Sequence, residues 1–306
     1  MDPFQAGVNL RPDLLAAGLS DRELRVERRR GTIIAVRPGA YVVDDLTRDV
    51  ELLHRFAIEA AAASLGAGSV VSHVSAAVLH GLTLWGTSLK RVHATRDRRS
   101  GARTSKLLHL HAAALKSEEV ITVDGMVVTS LPRTLVDLAR TLPFEQALVP
   151  ADAALNAHRV TRADLDDALD RGAGRPGNAT ARQVLAFARP GAENPGETRS
   201  RLAIHRAGLP PPVLQHQIRT AGGLFLGQAD FWWEEFDTVG EFDGRVKYGR
   251  LLRPGQDPGD VVFAEKVRED AIRAHDHGMV RWIWREIAPF DEVERRIRAA
   301  FARRRR

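Results

Sequence analysis

Residues 224–243 read LFLGQADFWWEEFDTVGEFD, and this pattern decides the fold of the C-terminal part of the chain. Leu224 to Trp232 and Thr238 to Asp243 are rich in aromatic and β-branched residues, with Glu234 and Glu235 between them. The pattern predicts two antiparallel strands joined by an acidic turn. The aromatic residues indicate that the hairpin also contacts a hydrophobic core.

Three acidic residues of this hairpin suggest a chemical function. Asp230 lies near the end of the first strand, and Glu241 and Asp243, two residues apart, share one face of the second strand. Three carboxylates brought together would repel one another unless a cation lay between them. Oxygen ligands favour Mg²⁺ or Mn²⁺, and Glu197 on a predicted preceding helix could supply another oxygen. The alternative is that these residues are surface acids of the hairpin.

A carboxylate-bound Mg²⁺ beside a basic group is typical of phosphodiester hydrolysis, because the ion activates water and offsets charge on the phosphate. Lys247 follows Asp243 by four residues, and Lys266 lies on a helix predicted over 261–274. Either lysine could polarise the water or the phosphate. Further helices are predicted over 197–207 and 291–303, with an edge strand over 213–218 and a last strand over 279–284.

This order of elements resembles the restriction-endonuclease-like PD-(D/E)xK superfamily, and more narrowly a family of domains related to very-short-patch repair endonucleases. The matching residues are Glu197, Asp230, the Glu241-Phe242-Asp243-Gly244 element and the charged helix around Lys266. Asp243 stands where the superfamily places a lysine, and Lys247 is the nearest basic group. The resemblance implies a Mg²⁺-dependent endodeoxyribonuclease. In it Asp230 and Glu241 would bind the metal, assisted by Glu197, Asp243 and Lys247.

The N-terminal stretch predicts two short helices. Residues 11–17 form the first helix and Gly18-Leu19 a turn, and the second helix begins at Ser20. Ser20 and Glu23 have the spacing of a capping box, in which each side chain satisfies a free backbone N–H. Gly31 ends this helix, and strands over 32–36 and 40–43 follow, joined by Arg37-Pro38-Gly39.

Helix, turn, arginine-rich helix and basic-tipped hairpin is the layout of a winged helix-turn-helix, whose second helix lies in the DNA major groove. The alternative is a solvated charged helix in a small interaction domain. The predicted DNA-binding residues, which set affinity through phosphates, are Arg22, Arg25, Arg28, Arg29, Arg30 and Arg37.

The middle of the chain alternates predicted helices and short strands. The segment Ser72-His73-Val74-Ser75-Ala76-Ala77-Val78-Leu79-His80-Gly81 predicts a buried helix. His73 and His80 are interpreted as core or cap residues, because their seven-residue spacing is too long for one metal. His109 and His111 alternate along a strand and have no nearby carboxylate in the sequence. They are interpreted as exposed strand histidines without a ligand role.

Residues 10–43 resemble the N-terminal winged-helix domain of AbiEi-type antitoxins from type IV toxin-antitoxin systems. The segments over 72–81 and 133–139 are similar to stretches that recur in actinobacterial proteins carrying that domain. The resemblance implies operator binding, autoregulation and a cognate toxin as a partner.

Composition excludes several classes of protein. The 306 residues contain no cysteine, which excludes disulfide scaffolds, thiolate nucleophiles and cysteine-ligated metals. Lysine and arginine number 45 against 39 acidic residues, and this basic balance is compatible with an anionic partner. The sequence shows neither a signal peptide nor a long apolar stretch, so we expect a cytoplasmic protein without membrane contact.

These observations predict a multidomain α+β or α/β protein. Its parts are a winged helix-turn-helix (1–48), a central AbiEi-like α/β region (49–186) and a restriction-endonuclease-like α/β core (187–306). The first functional hypothesis is a protein that binds double-stranded DNA and cleaves it with Mg²⁺ or Mn²⁺. The second is a transcriptional repressor or antitoxin with a degenerate nuclease-like domain. The third is a toxin-binding protein whose basic charge is incidental.

Overall fold

The computed structural model describes residues 4–43, 49–62, 65–66, 68–98, 100–220, 222–244 and 277–304. The chain divides into two compact units, an N-terminal unit of residues 1–188 and a C-terminal unit of residues 189–306. Each unit combines helices with β-sheet, which confirms the predicted mixed α/β class. Residues 1–48, predicted as a domain of their own, belong to the same compact unit as the central region.

The N-terminal unit begins with two short helices and a three-stranded antiparallel sheet. Ser20 and Glu23 form the predicted capping box, and Gly31 ends the second helix with a φ of +79°, a conformation that favours glycine. Leu14 and Leu24 pack with residues of the sheet in a small core. The elements are β1 (Asn9–Leu10), α1 (Arg11–Ala16), α2 (Asp21–Arg30), β2 (Ile33–Arg37) and β3 (Ala40–Val43), with sheet order β1-β3-β2.

A six-stranded mixed sheet follows in the same unit. Its order is β6-β7-β5-β4-β9-β8, with parallel pairing in β5/β7 and β4/β9. Buried residues of the helices and strands form one apolar core on this sheet. The elements are α3 (Val50–Ala62), β4 (Ser69–Val71), α4 (His73–Leu79), β5 (Val92–Arg96), β6 (Arg103–Thr104), β7 (Leu108–Ala112), β8 (Val120–Val123) and β9 (Met126–Thr129).

Four helices complete the N-terminal unit: α5 (Leu131–Thr141), α6 (Phe144–Asn156), α7 (Arg162–Arg171) and α8 (Asn178–Phe187). The last of these helices has no counterpart among the sequence predictions. Arg133 on α5 is buried and donates hydrogen bonds to two buried carboxylates, those of Glu119 and Asp137. This group of charges lies inside the unit, where each partner depends on the others.

The C-terminal unit contains one four-stranded sheet of order β10-β11-β12-β13. Strand β11 is antiparallel to both β10 and β12, and β13 runs parallel to β12. Strand β10 lies at an edge, as predicted, and β12 has its predicted bounds. The elements are α9 (Pro195–Arg206), β10 (Val213–Arg219), β11 (Phe225–Trp233), β12 (Thr238–Asp243), β13 (Gly278–Ile283) and α10 (Asp291–Arg304). The helix predicted over 261–274 lies outside the described residues.

Aromatic residues fill the core on one side of this sheet. Phe231, Trp233, Phe242 and Trp282 pack there with buried residues of the flanking helices, such as Ile204. The aromatic hairpin residues therefore do contact a core, as the sequence predicts. Within the described part of the chain, no helix combines the length and apolar character that crossing a membrane requires.

Candidate functional site

The first candidate site forms where α9 begins over the sheet of the C-terminal unit. The side-chain oxygen of Asn194 accepts hydrogen bonds from the backbone N–H groups of Gly196 (2.9 Å) and Glu197 (3.1 Å) and so caps the helix. A Cβ atom on Gly196 would lie 1.9 Å from Cε1 of Phe242. Only glycine therefore allows this turn to lie so close to β12, and Glu197 is buried as a result.

The Glu197 carboxyl group lies among hydrogen-bond donors but has a raised pKa. Its oxygens accept hydrogen bonds from the backbone N–H of Glu193 (2.8 Å) and from Nε2 of Gln215 (2.9 Å). Burial, followed by the nearby charge of Asp230, raises the pKa of Glu197 to about 8. Both effects favour the protonated form of Glu197, burial more strongly than the charge of Asp230.

Asp230 on β11 lies beside Glu197. Its Oδ2 accepts a hydrogen bond from the backbone N–H of Phe242 (2.8 Å), and Nε2 of Gln215 lies 3.5 Å from its Oδ1. Gln215 has a φ of +52°, an uncommon conformation for a residue with a side chain. The same amide nitrogen contacts both acids, so Gln215 links Glu197 to Asp230.

Glu241 has a different partner. Phe231 on β11 pairs with Gly240 on β12. Because the two strands are antiparallel, Asp230 and Glu241 come directly after this pair on the same side of it. Glu241 is 5% exposed, and its carboxylate forms an ion pair with Arg281, the residue opposite it on β13. Asp243 is half-buried at the end of β12.

The predicted convergence of three carboxylates therefore needs correction. Asp230, Glu241 and Asp243 do not belong to any group of three or more potential metal ligands whose atoms lie within 4.8 Å, among the residues that the structure describes. The physical reason is that Arg281 compensates the charge of Glu241, while Asp230 is linked to Glu197. Lys247 and Lys266, predicted to assist catalysis, lie outside the described residues.

The Glu197 and Asp230 pair has the chemistry of a divalent-cation site. Both residues offer hard oxygen ligands, which Mg²⁺ and Mn²⁺ prefer. The pKa of Glu197 is raised by burial and then by the charge of Asp230, so a cation that binds both carboxyl groups would favour the ionised form of Glu197. The two residues therefore fit a Mg²⁺ ion that would replace the proton of Glu197.

The pKa of Glu197 predicts a pH-dependent stability. The raised value means that folding favours the protonated carboxyl, so stability is full below the ordinary value near 4.5 and falls as the pH rises through about 8. Glu197→Gln removes this loss, and we expect the melting temperature of the variant to exceed that of the wild type by roughly 5 °C at pH 9 but not at pH 5. Thermal melts of the full chain from pH 5 to pH 9 test this. Parallel pH profiles for the two proteins would contradict the assignment.

The second candidate site is the exposed surface of α2. Leu24 faces the core, and the five arginines of the helix are exposed. Arg22, Arg25 and Arg29 lie at helical spacing and share one face. Of the ion pairs among the described residues, Arg30 forms one with Glu27, whereas Arg22, Arg25, Arg28 and Arg29 form none. These guanidinium groups are therefore available to an anionic partner.

Arg37 has a different environment from the arginines of α2. Its Nη1 donates a hydrogen bond to the backbone carbonyl of Leu107 (3.1 Å). Burial lowers the pKa of Arg37. The guanidinium group at the tip of the β2–β3 hairpin is thus used in a contact with the central region, and we leave Arg37 out of the proposed DNA surface.

The structure also brings together four histidines that the sequence analysis did not connect. The parallel pairing of β5 and β7 places His93 opposite His109 and Thr95 opposite His111. The Nδ1 of His93 lies 3.1 Å from the Nε2 of His111. The ring of His111 stacks on His109 (3.9 Å between centroids) and on His73 (3.6 Å). We call His73, His93, His109 and His111 the histidine cluster.

Burial favours the neutral form of all four rings of the histidine cluster. Burial is the main cause that lowers the pKa of each residue, and for His93 the value falls to about 4. His73 is buried, as predicted, with a φ of +53°, and its Nδ1 lies 2.9 Å from Oγ of Ser72. A neutral imidazole keeps one nitrogen with a free lone pair.

The prediction that His109 and His111 are exposed is wrong. Both are partly buried, because β5 pairs alongside β7 and His73 packs against His111. The alternation of His109 and His111 correctly indicated a shared face. The sequence did not indicate that His93 lies beside His109, because this proximity follows from the pairing of β5 with β7.

The comparisons with known proteins leave the function open. No family model matches the chain. An uncharacterized protein of Mycobacterium tuberculosis strain H37Rv, Rv2248, is 29% identical over 225 residues, which cover 74% of this chain and 79% of that protein. The uncharacterized protein MT2308 of strain CDC 1551 gives the same values. The crystal structure of the RV2827C protein from the same species matches with a TM-score of 0.40 and 16% identity, covering 70% of this chain and 84% of that one.

Proposed function

We propose that this protein binds double-stranded DNA through the α2 surface and hydrolyses phosphodiester bonds with Mg²⁺ or Mn²⁺ in its C-terminal unit. The observation that carries the hydrolytic part is the pair of buried Glu197 and half-buried Asp230, because the side-chain amide of Gln215 contacts both carboxyl groups and the two together offer hard oxygen ligands. The observation that supports DNA binding is the exposure of Arg22, Arg25, Arg28 and Arg29 on α2, none of which forms an ion pair with another residue that the structure describes.

The layout of the first 43 residues supports a winged helix-turn-helix. Helices α1 and α2 are joined by a short turn, and the β2–β3 hairpin follows directly, with β1 completing the sheet. In such domains the second helix enters the major groove. The arginines of α2 would then contact phosphates and supply most of the affinity.

The sheet of the C-terminal unit supports a restriction-endonuclease-like core. The resemblance implies a helix with an acid, a strand, a strand with Asp230, a strand with Glu241 and, after a charged helix, a last strand and a helix. The described elements α9, β10, β11, β12, β13 and α10 follow this order along the chain, and the charged helix falls outside the described residues. The acids occupy the expected elements, with Glu197 on the helix, Asp230 on the second strand and Glu241 on the third.

Each acidic residue of the site has a separate role in the proposed hydrolysis. A bound Mg²⁺ or Mn²⁺ would supply Lewis-acid stabilisation of the phosphate and an activated water. Asp230 and deprotonated Glu197 would hold the ion, and Glu241 and Asp243 would assist from the adjacent strand. Glu197 must lose its proton to bind a cation, so we expect cleavage to increase as the pH rises toward about 8. Lys247, from its place in the sequence after Asp243, would provide positive charge near the phosphate.

A repressor or antitoxin with an inactive nuclease-like domain is the second candidate function. The ion pair of Glu241 with Arg281 favours this alternative, because it satisfies one of the predicted ligands without a metal. Asp243 in place of a lysine favours it too. Such a protein would bind operator DNA and a cognate toxin, and would cleave no DNA with either ion.

DNA binding is tested by the Arg25→Ala, Arg29→Ala double variant. We expect weaker binding to duplex DNA and a decrease of about 2 in the slope of log affinity against log salt, because two phosphate contacts are lost. Fluorescence anisotropy over a range of salt concentrations measures both quantities. Arg182→Ala is the matched control, since Arg182 is exposed on α8 and outside the proposed surface. An unchanged slope in the double variant would support the toxin-binding hypothesis with incidental basicity.

A further inference from the structure

The histidine cluster lies in the N-terminal unit and takes no part in the proposed hydrolysis. Three of its members, His93, His109 and His111, each offer one ring nitrogen, and these three atoms all lie within 4.8 Å of one another. Among the described residues, no other set of three or more histidine or acidic side chains meets this criterion. The cluster is therefore distinct from the acid pair at Glu197 and Asp230.

The backbone holds the three rings in place. His109 and His111 are two residues apart on β7, and His93 is the partner of His109 on the parallel strand β5. All three side chains therefore extend from the same face of the sheet. His73, at the start of α4, stacks on His111 and fixes the orientation of that ring. The site is built on regular strands and does not depend on a loop.

The distances suit ligands of one metal ion. Two nitrogens bound to the same tetrahedral Zn²⁺ at about 2.05 Å lie roughly 3.3 Å apart. The Nδ1 of His93 and the Nε2 of His111 are 3.1 Å apart, and one ring nitrogen of His109 lies within 4.8 Å of the ligand nitrogens of both. The ring of His109 stacks on that of His111, so metal binding requires it to rotate about its side-chain bonds. The same distance is compatible with an N–H···N hydrogen bond between two neutral rings, which is the competing explanation.

We infer that His93, His109 and His111 form a binding site for a late first-row divalent cation such as Zn²⁺, with a fourth coordination position left open. Imidazole ligands suit Zn²⁺, Cu²⁺ and Ni²⁺, whereas Mg²⁺ and Ca²⁺ prefer oxygen. Three histidines and an open position form the arrangement in which zinc can also bind water or an anion.

The surroundings of the site indicate which fourth ligand it would take. His73 and His111 border a cavity of about 500 Å³ that is also lined by Arg98, Arg140 and Arg175. Asp137 is the acidic residue of this lining, and Arg133 and Arg140 already bind it. The positive charge around the cavity favours an anion over a neutral molecule such as water as the further ligand of the metal.

Calorimetric titration with ZnCl₂ of the untagged full chain, after treatment with EDTA and dialysis, tests the site. We expect one Zn²⁺ per chain with a Kd below about 1 μM. The variants His109→Asn and His111→Asn should each weaken binding at least about 100-fold, the loss that even an outer-shell substitution can cause. His158→Asn is the matched control, because His158 is exposed, lies in the same unit and has a φ of +52°, which asparagine tolerates.

Two further measurements keep the test decisive. Visible absorption of the Co²⁺-loaded protein should show intense tetrahedral bands that are lost in His109→Asn, the variant of a half-buried residue, while its melting temperature without metal stays near that of the wild type. Asp230→Ala, Glu241→Ala should bind Zn²⁺ like the wild type, which separates this site from the proposed hydrolysis. Absence of Zn²⁺ and Co²⁺ binding to the wild type, or binding that the two histidine variants leave unchanged, would overturn the inference.

Discussion

Replacing Arg133 with methionine is expected to destabilise the N-terminal unit by about 3–5 kcal/mol, because the change removes the buried cation that two buried carboxylates share. Asp137 would keep its ion pair with Arg140 (2.9 Å), and Glu119 would keep only the longer one with Arg171 (3.8 Å) among the described residues. Nε of Arg133 donates a hydrogen bond to Asp137 (2.7 Å) and Nη1 donates to Glu119 (2.8 Å). The side chains of Arg133 and Glu119 are 1% exposed and that of Asp137 is 4% exposed, so water cannot replace the lost partner.

The melting temperature of the unit should fall by roughly 10 °C in this variant. Calorimetry of the full chain measures the shift, and Arg182→Ala, at an exposed position, should stay close to the wild type. The double variant Arg133→Met, Glu119→Leu should recover much of the loss, because Asp137 keeps its ion pair with Arg140 and the carboxylate of Glu119 is gone. A melting temperature of Arg133→Met equal to that of the wild type would show that these ion pairs contribute little.

Local sequence signals predicted much of the secondary structure. The capping box at Ser20 and Glu23 and the glycine that ends α2 act within a few residues, so their effect is readable without tertiary information. Asp124-Gly125, a dipeptide typical of tight hairpin turns, likewise joins β8 and β9.

The geometry of the acid pair could not be predicted in the same way. The alternation rule correctly places Glu241 and Asp243 on one face of β12, but it cannot show which cation lies on the next strand. Arg281, far away in the sequence, pairs with Glu241 because β13 lies parallel to β12. The link from Asp230 to Glu197 likewise depends on Gln215 and on the close contact between Gly196 and Phe242.

The histidine cluster shows the same limit of sequence reasoning. His73, His93 and the pair His109 and His111 lie on three separate elements, and no local spacing links them. Their proximity follows from the strand order β7-β5-β4, with α4 following β4. Long-range strand pairing therefore determines which residues come together in the candidate sites, whereas local sequence signals determine where helices and turns begin and end.

The Asp230→Ala, Glu241→Ala double variant is expected to lose metal-dependent DNA cleavage by a factor of at least about 100, because the ligand that shares the site with Glu197 is gone. DNA affinity should remain within about twofold, since the α2 surface is unchanged. Plasmid nicking and fluorescence anisotropy measure the two properties. Glu234→Ala is the matched control, because Glu234 is an exposed acid in the turn between the same two strands. Equal losses of binding and cleavage would indicate misfolding, which the melting temperature would reveal.

The most direct test of the account is nicking of supercoiled plasmid by the purified full chain, with Mg²⁺ or Mn²⁺ and with EDTA, at pH 7 and pH 8.5. We expect nicking that requires the ion, increases with pH as Glu197 loses its proton and disappears in the Asp230→Ala, Glu241→Ala variant. Tight DNA binding without cleavage under any of these conditions would contradict the hydrolytic function and identify the protein as a DNA-binding regulator.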